Sequence, residues 1–302
     1  MLQKKIHSLH YTHKLYLLLL PYLLGIIVLV IIPGGISFLL AFFQYDALSA
    51  PVWTGELNFI LAYTDELFRL SVKNSLALVI LPVFFRVFGA FSIAYLMRKN
   101  SRFISLFRSS VFLPSIIPSS AYALAWLWIL NPMFGPVNTF LQMLGVNSPG
   151  WFTDPAWSKP ALILMFLWQI GEGFIVSLAA LGDVPRELED VARVEGATSW
   201  SLFWLVSIPL MTPVLLFLTF RDVIVLLQEN LSVILLTTNG GPYYSTYTLP
   251  LFIYEQGFDS LSFGKASAAM WGLYVLSGII ILVLYFLFGE NGISLTDETY
   301  FS

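Results

Sequence analysis

Cysteine is absent from this chain. That excludes disulfides, thiol nucleophiles and thiolate-held metals. Charge is scarce: 11% of the 302 residues are Asp, Glu, Lys or Arg, against about 25% in soluble domains. Histidine is confined to His7, His10 and His13, where a solvated basic tail beside a membrane surface is the simpler reading than a metal clip. A phosphate-binding loop is missing too. It needs G-x-x-x-x-G-K-[ST], so that backbone amides and one lysine cradle the phosphates. The nearest string, Gly257 to Ala266, has six residues between its glycines and ends in alanine. Gly171-Glu172-Gly173 follows no strand, so it is no nucleotide fingerprint. Little remains from which to build a catalytic dyad or a metal centre. The expectation is a non-enzyme that holds no metal and no cofactor and has no nucleic-acid partner.

Apolar residues are abundant. They make up 58% of the chain, and mean hydropathy is +0.80. Six apolar runs stand out, at about 15–43, 71–97, 106–130, 160–181, 203–237 and 266–288. Each is long enough for a hydrocarbon core of about 30 Å, which takes about 20 helical residues. The first run is too long for a signal-peptide core and lacks a small-residue cleavage site, so no cleavable leader is expected. The predicted fold is an all-α integral membrane protein with six transmembrane helices. The fifth run is longer than a crossing needs. It holds Arg221, Asp222, Gln228, Glu229 and Asn230, which predicts a polar inner face and a break near Asn230. Arg86 in the second run reads as a structural ion-pair member.

Lysine and arginine set the orientation. The N-terminal tail carries Lys4, Lys5 and Lys14, and the second loop carries Arg98, Lys99, Arg102 and Arg108. Both belong in the cytoplasm. The expected layout is a cytoplasmic tail 1–14, a transmembrane domain 15–289 and a cytoplasmic tail 290–302.

One loop, about 183–202, departs from the rest. Seven ionisable groups fall within the thirteen residues from Asp183 to Glu195. Pro185 suits a first helical turn, with Asp183 as the expected cap. Leu188, Val191 and Ala192 form a short apolar stripe, while Glu187, Glu189, Asp190 and Arg193 cover the remainder. Gly196 lets the chain turn or lets another backbone approach. A polar helix between two crossings implies a docking partner.

These residues resemble a known pattern. Permease subunits of bacterial ABC importers carry an EAA motif, which in the carbohydrate branch reads roughly P-x-E-L-x-E-A-A-x-x-D-G-A. Here the positions are Pro185, Glu187, Leu188, Asp190, Val191, Ala192, Glu195, Gly196 and Ala197, followed by Phe203, Pro209 and Pro213. Asp190, Val191 and Glu195 depart from the pattern yet keep charge or apolar character. The stretches 68–83, 107–138 and 235–271, the last with Thr238-Asn239-Gly240-Gly241-Pro242, resemble the same family in the same order. The likeness is strongest to the sugar and glycerol-3-phosphate branch, on the side of the maltose importer's larger permease.

The resemblance implies an ATP-driven importer half in the bacterial inner membrane, multi-pass and surrounded by lipid. A second permease would complete the pathway. Two ATPase subunits would carry ATP and Mg and would grip a cytoplasmic coupling helix between spans four and five, built on Glu187, Leu188, Asp190, Val191, Ala192, Glu195, Gly196 and Ala197. An extracytoplasmic binding protein would deliver solute. Family positions for solute contact fall on Trp168, Gln169, Glu172, Asp222, Val225, Leu226 and Glu229. Glu172, Asp222 and Glu229 outnumber Arg221, which suits a neutral or cationic saccharide better than a phosphate ester. The alternatives are a secondary transporter working without an ATPase or, within the ABC class, a glycerol-3-phosphate importer. A secondary carrier usually shows an internal repeat, and none is evident.

Overall fold

The computed structural model describes residues 16, 18–98, 101–228 and 230–293. The three histidines, Glu229 and both tails up to 14 and beyond 293 lie outside the described residues. The helices are α1 (Leu18–Leu40), α2 (Leu57–Thr64), α3 (Glu66–Leu96), α4 (Arg102–Ser115), α5 (Ser119–Ile129), α6 (Pro136–Met143), α7 (Pro155–Trp168), α8 (Gly171–Asp183), α9 (Arg186–Val194), α10 (Ser199–Gln228), α11 (Leu231–Thr237), α12 (Leu249–Tyr254) and α13 (Phe263–Ile293). The only strands among the described residues, β1 (Phe43–Gln44) and β2 (Val52–Trp53), pair antiparallel with Phe43 opposite Trp53. The described residues form two compact units.

The first unit holds the chain up to Asp65 together with Ile253–Trp271. Its hairpin is pinned by Asn58, whose Nδ2 donates to the carbonyls of Ala41 (3.0 Å) and Phe43 (2.8 Å). At the hairpin tip, Asp46 accepts from the Ser49 and Leu48 amides and the Ser49 hydroxyl. The Ser49 amide first, then these other donors, hold its carboxyl below the usual carboxylate range. Gly264 must be glycine: a Cβ there would stand 2.1 Å from the Phe43 carbonyl oxygen. Lys265 pairs with Asp65 at 2.7 Å. The glycine and lysine of the spurious phosphate-loop string therefore serve local packing.

The second unit holds Glu66–Phe252 and the chain from Gly272 onward. Its hub is α3, which packs on α7, α8 and α10. Ser71, Ser75, Leu78, Pro82, Arg86, Ala90 and Ala94 are buried at steps of three and four, while Ile80, Phe84 and Phe85 on the other side are exposed. An exposed apolar face suits lipid, where the helix satisfies its own backbone. Ala90, Phe91 and Ala94 cluster with Phe174, Leu181, Phe203 and Met211.

Among the described residues, five helical segments are long and apolar enough to cross a membrane, or six if the bent pair α4–α5 is one crossing. That pair corrects the expectation of a continuous third span: it bends by 101° between Ser115 and Ser119. Pro118 is the reason. It lacks an N–H, and it drives the preceding residue away from helical dihedrals. The fourth run is also interrupted, at Gln169–Ile170, and the fifth ends at Gln228 before restarting at Leu231. The break expected near Asn230 is present. Asp183 does not cap α9. It is the last residue of α8, and α9 begins after Pro185 with no side-chain cap.

Candidate functional site

Three helix interruptions meet at one cavity of about 150 Å³ in the second unit. Ser115, Ile117 and Ser119 come from the α4–α5 bend, Gln169 from the α7–α8 break, and Asn230 from the α10–α11 break. Arg86 of α3, Phe166 of α7, Glu172 of α8, and Arg221, Val225 and Leu226 of α10 complete most of the wall. Irregular backbone at membrane depth is tolerated only where protein buries it or where it lines a polar cavity. The freed backbone groups here find partners. The last carbonyls of α7 lose their helical donors. Tyr122 Oη donates to the Met165 carbonyl at 2.6 Å, and Arg86 Nη1 donates to the Phe166 carbonyl at 3.2 Å. The Gly171 amide at the start of α8 donates to Ser115 Oγ at 3.0 Å.

Gly171 also lets two helices touch. A Cβ there would lie 2.6 Å from Ser115 Oγ and 2.8 Å from Phe112 Cα. Gly171→Ala is therefore expected to destabilise by roughly 1–3 kcal/mol through overpacking. Thermal unfolding in detergent, followed by tryptophan fluorescence, checks this. An unchanged midpoint contradicts the packing account.

The cavity wall carries an ion chain. Arg86 Nε meets Asp222 Oδ2 at 2.9 Å, and both side chains are only 6% exposed. Arg221 Nη1 meets Asp222 Oδ1 at 2.8 Å, and its Nη2 contacts Glu172. Two cations and two anions alternate. The two described carboxylates, Glu172 and Asp222, are thus matched by two arginines, where the sequence reading had counted Arg221 alone as the cation.

A second constellation sits at the far end of α3. Twelve residues beyond Arg86, Arg98 grips the Glu189 carboxylate through both terminal nitrogens, with Nη2–Oε2 at 2.9 Å. Its guanidinium also lies 4.4 Å from the centre of the Tyr95 ring. Arg108 donates to the Met97 carbonyl, so α3 is tied at this end to α4 as well as to α9. Helix α9 ends in a Schellman motif. The Ala197 amide reaches the Ala192 carbonyl (2.9 Å) and the Gly196 amide reaches the Arg193 carbonyl (3.0 Å), with Gly196 at φ +93°. A non-glycine residue is strained there. A Cβ at Gly196 would meet nothing within 4 Å among the described residues, so among them the glycine serves the turn and not a close approach. Thr198 Oγ1 then accepts from the Ser201 amide and starts α10.

Glu187, Asp190, Val191 and Val194 are all exposed and share one face of α9 at steps of three and four. Leu188 and Ala192 are half-buried, as is Glu189. Val194 is 90% exposed and Trp200 71%. Large apolar side chains left open beside carboxylates are the pattern of a docking surface.

Residues 86–289 match the family described as binding-protein-dependent transport system inner membrane component. This chain belongs to that family. It is a membrane permease subunit of a binding-protein-dependent ABC importer, and non-catalytic. The permease is 30% identical over 274 residues to the probable ABC transporter permease protein YesP of Bacillus subtilis (strain 168), across 89% of this chain and 88% of that protein. It is 29% identical over 240 residues to the lactose transport system permease protein LacF of Rhizobium radiobacter, across 78% and 80%. The fold is similar to a chain in the crystal structure of a bacterial alginate ABC transporter in complex with an alginate pentasaccharide-bound periplasmic protein. The TM-score is 0.80 at 24% identity, covering 93% of this chain and 96% of that one.

Within the permease, the residues expected at the pathway separate. Gln169, Glu172, Val225 and Leu226 line the cavity. Asp222 is buried behind it, held by two arginines. Trp168 is 59% exposed and packs edge-on against Trp126. Glu229 lies outside the described residues. Sequence reasoning missed Arg86, Ser115, Ser119 and Asn230 as wall residues. The prolines flanking Ser115 (Pro114 and Pro118) were the available signal for the bend that brings two of them there. It also missed Glu189 as the anchor of α9, and Val194 on its outer face.

Proposed function

We propose that the permease forms half of the translocation pathway of an ATP-driven sugar importer, with α9 as the cytoplasmic coupling helix that separate ATPase subunits grip. The observation that carries this reading is the outer face of α9: carboxylates of Glu187 and Asp190 beside bare Val191 and Val194, on a helix whose inner side is clamped to α3. Two ATPases carrying ATP and Mg dock from the cytoplasm, where both termini also lie. A second permease completes the pathway. The cavity of about 150 Å³ falls short of the roughly 300–1,000 Å³ of ordinary ligand pockets, which fits a half-pathway. An extracytoplasmic binding protein delivers the solute, as in the alginate importer complex.

A sugar suits the wall. The relative LacF is named for lactose transport. Balanced charges and small hydroxyl and amide groups offer hydrogen bonds to a neutral polyol without the spare arginines a phosphate ester demands. The experiment is uptake into liposomes of radiolabelled lactose, maltose and raffinose. The complete importer is expected to take up at least one of them only with ATP inside and binding protein outside. Equal uptake by this chain alone, without ATP, contradicts the proposal and favours a self-sufficient carrier.

A further inference from the structure

We infer that the segment 131–153, which links α5 to α7, is an interfacial lipid-binding element. On this reading α6 and the turn before it lie in the leaflet on the side away from α9. Met133, Phe134, Phe140, Met143 and Leu144 are sunk between headgroups and acyl chains.

The segment is tied into a fixed frame. Asn138 is fully buried. Its Nδ2 donates to the carbonyls of Asn131 (3.2 Å) and Pro149 (3.4 Å), and its Oδ1 accepts from the Trp151 indole at 2.8 Å. One side chain thus joins the start of the segment to its end. Asn131 Oδ1 accepts from the amides of Met133 and Phe134. The turn closes so tightly that a Cβ at Gly135 would stand 2.5 Å from the Asn131 carbonyl oxygen. This frame turns its polar groups inward and its apolar groups out. Met133 is 82% exposed and Met143 78%, with Phe134, Phe140 and Leu144 exposed as well. Phe140, Met143 and Leu144 share one side of α6 at steps of three and four. Large apolar side chains grouped in the open mark a protein or membrane contact.

Three observations favour lipid. First, α7 and α8 together form one of the crossing segments. Residues 131–153 meet its start and α9 follows its end, so the segment sits where a span leaves the bilayer. Second, exposed tryptophans bracket it: Trp128 near the end of α5 and Trp157 in the first turn of α7. Tryptophan gathers at the level of the headgroups, where its ring is wetted at one end only. Third, from Asn131 to Thr153 the sequence has no Asp, Glu, Lys or Arg. A protein partner would find no charge to pair with or to be steered by. Insertion then rests on apolar burial alone, and a zwitterionic leaflet is enough.

The absence of cysteine makes the test clean. Single cysteines at Phe140, Met143 or Gln142 are labelled with the environment-sensitive fluorophore NBD. Gln142 is exposed and lies on the other side of the open surface of α6 from Phe140, two residues away. The complete importer is reconstituted in phosphatidylcholine vesicles, with or without a nitroxide high on the acyl chain. Emission from Phe140 and Met143 is expected to fall roughly twofold with nitroxide, since an interfacial helix reaches about 5–10 Å into the leaflet. Emission from Gln142 is expected to stay nearly constant. If the Phe140 variant fails to assemble, Met143 against Gln142 gives the same comparison. Equal quenching at all three positions overturns the proposal, because the helix is then submerged whole. Quenching in the chain alone that is lost in the complete importer overturns it in favour of contact with the second permease. No quenching, with emission that shifts only on adding loaded binding protein, overturns it in favour of a protein dock. Quenching that needs anionic lipid contradicts insertion by apolar burial.

Discussion

Asp222→Leu is expected to cost the permease about 3–5 kcal/mol, because it strands the buried Arg86 at membrane depth. Arg86 is the more exposed to this loss. Its Nε bond to Asp222 is its only ionic contact among the described residues, and its remaining bond goes to the Phe166 carbonyl. Arg221 keeps Glu172. The readout is the unfolding midpoint of the detergent-purified chain together with the yield of assembled complex. The double variant Arg86→Met with Asp222→Leu removes both buried charges and is expected to recover more than half of the loss. This follows because a buried pair costs little to delete as a unit and much to halve. An Asp222→Leu protein as stable as the native one contradicts the ion chain as drawn.

The second large effect is expected at the other end of α3. Glu189→Arg sets two guanidinium groups against each other where a bidentate clamp now stands. Uptake is expected to fall roughly tenfold, within the range typical of positions that carry coupling between distant sites. ATP hydrolysis by the complex should persist, since nothing in the clamp touches nucleotide. The exchanged pair, Arg98→Glu with Glu189→Arg, is expected to restore most of the uptake. A charge reversal that leaves uptake per ATP unchanged removes α3 from the coupling path.

These two sites show what the sequence conveyed and what it hid. Long apolar runs and the acidic motif placed the spans and α9 to within a few residues, because both signals are local. Arg86 was legible as an ion-pair member, since a lone charge inside an apolar run must find a partner. Its partner, 136 residues away, was not, because pairing across the bundle leaves no trace in spacing. The count of charges around the pathway left out Arg86 for the same reason. Glu189 is one residue outside the motif positions and reads as solvated, yet it is the residue that anchors the helix. The bend between α4 and α5 was hidden by hydropathy, which averages over Pro114 and Pro118 and reports one continuous span. Capping also defeated local reading. Asp183 is a good cap residue by type, but α8 runs through it, and Pro185 opens α9 unaided.

The most direct measurement uses the absence of cysteine. A single cysteine at Val194 is the chain's only thiol, and it stands on the outer face of α9. In the complete importer within sealed vesicles, a short thiol-to-amine crosslinker is expected to join that residue to the ATPase. A membrane-impermeant maleimide applied from the extracytoplasmic side should leave it unlabelled. Labelling from that side, with no crosslinked product, contradicts the assignment of α9 as the handle of the motor.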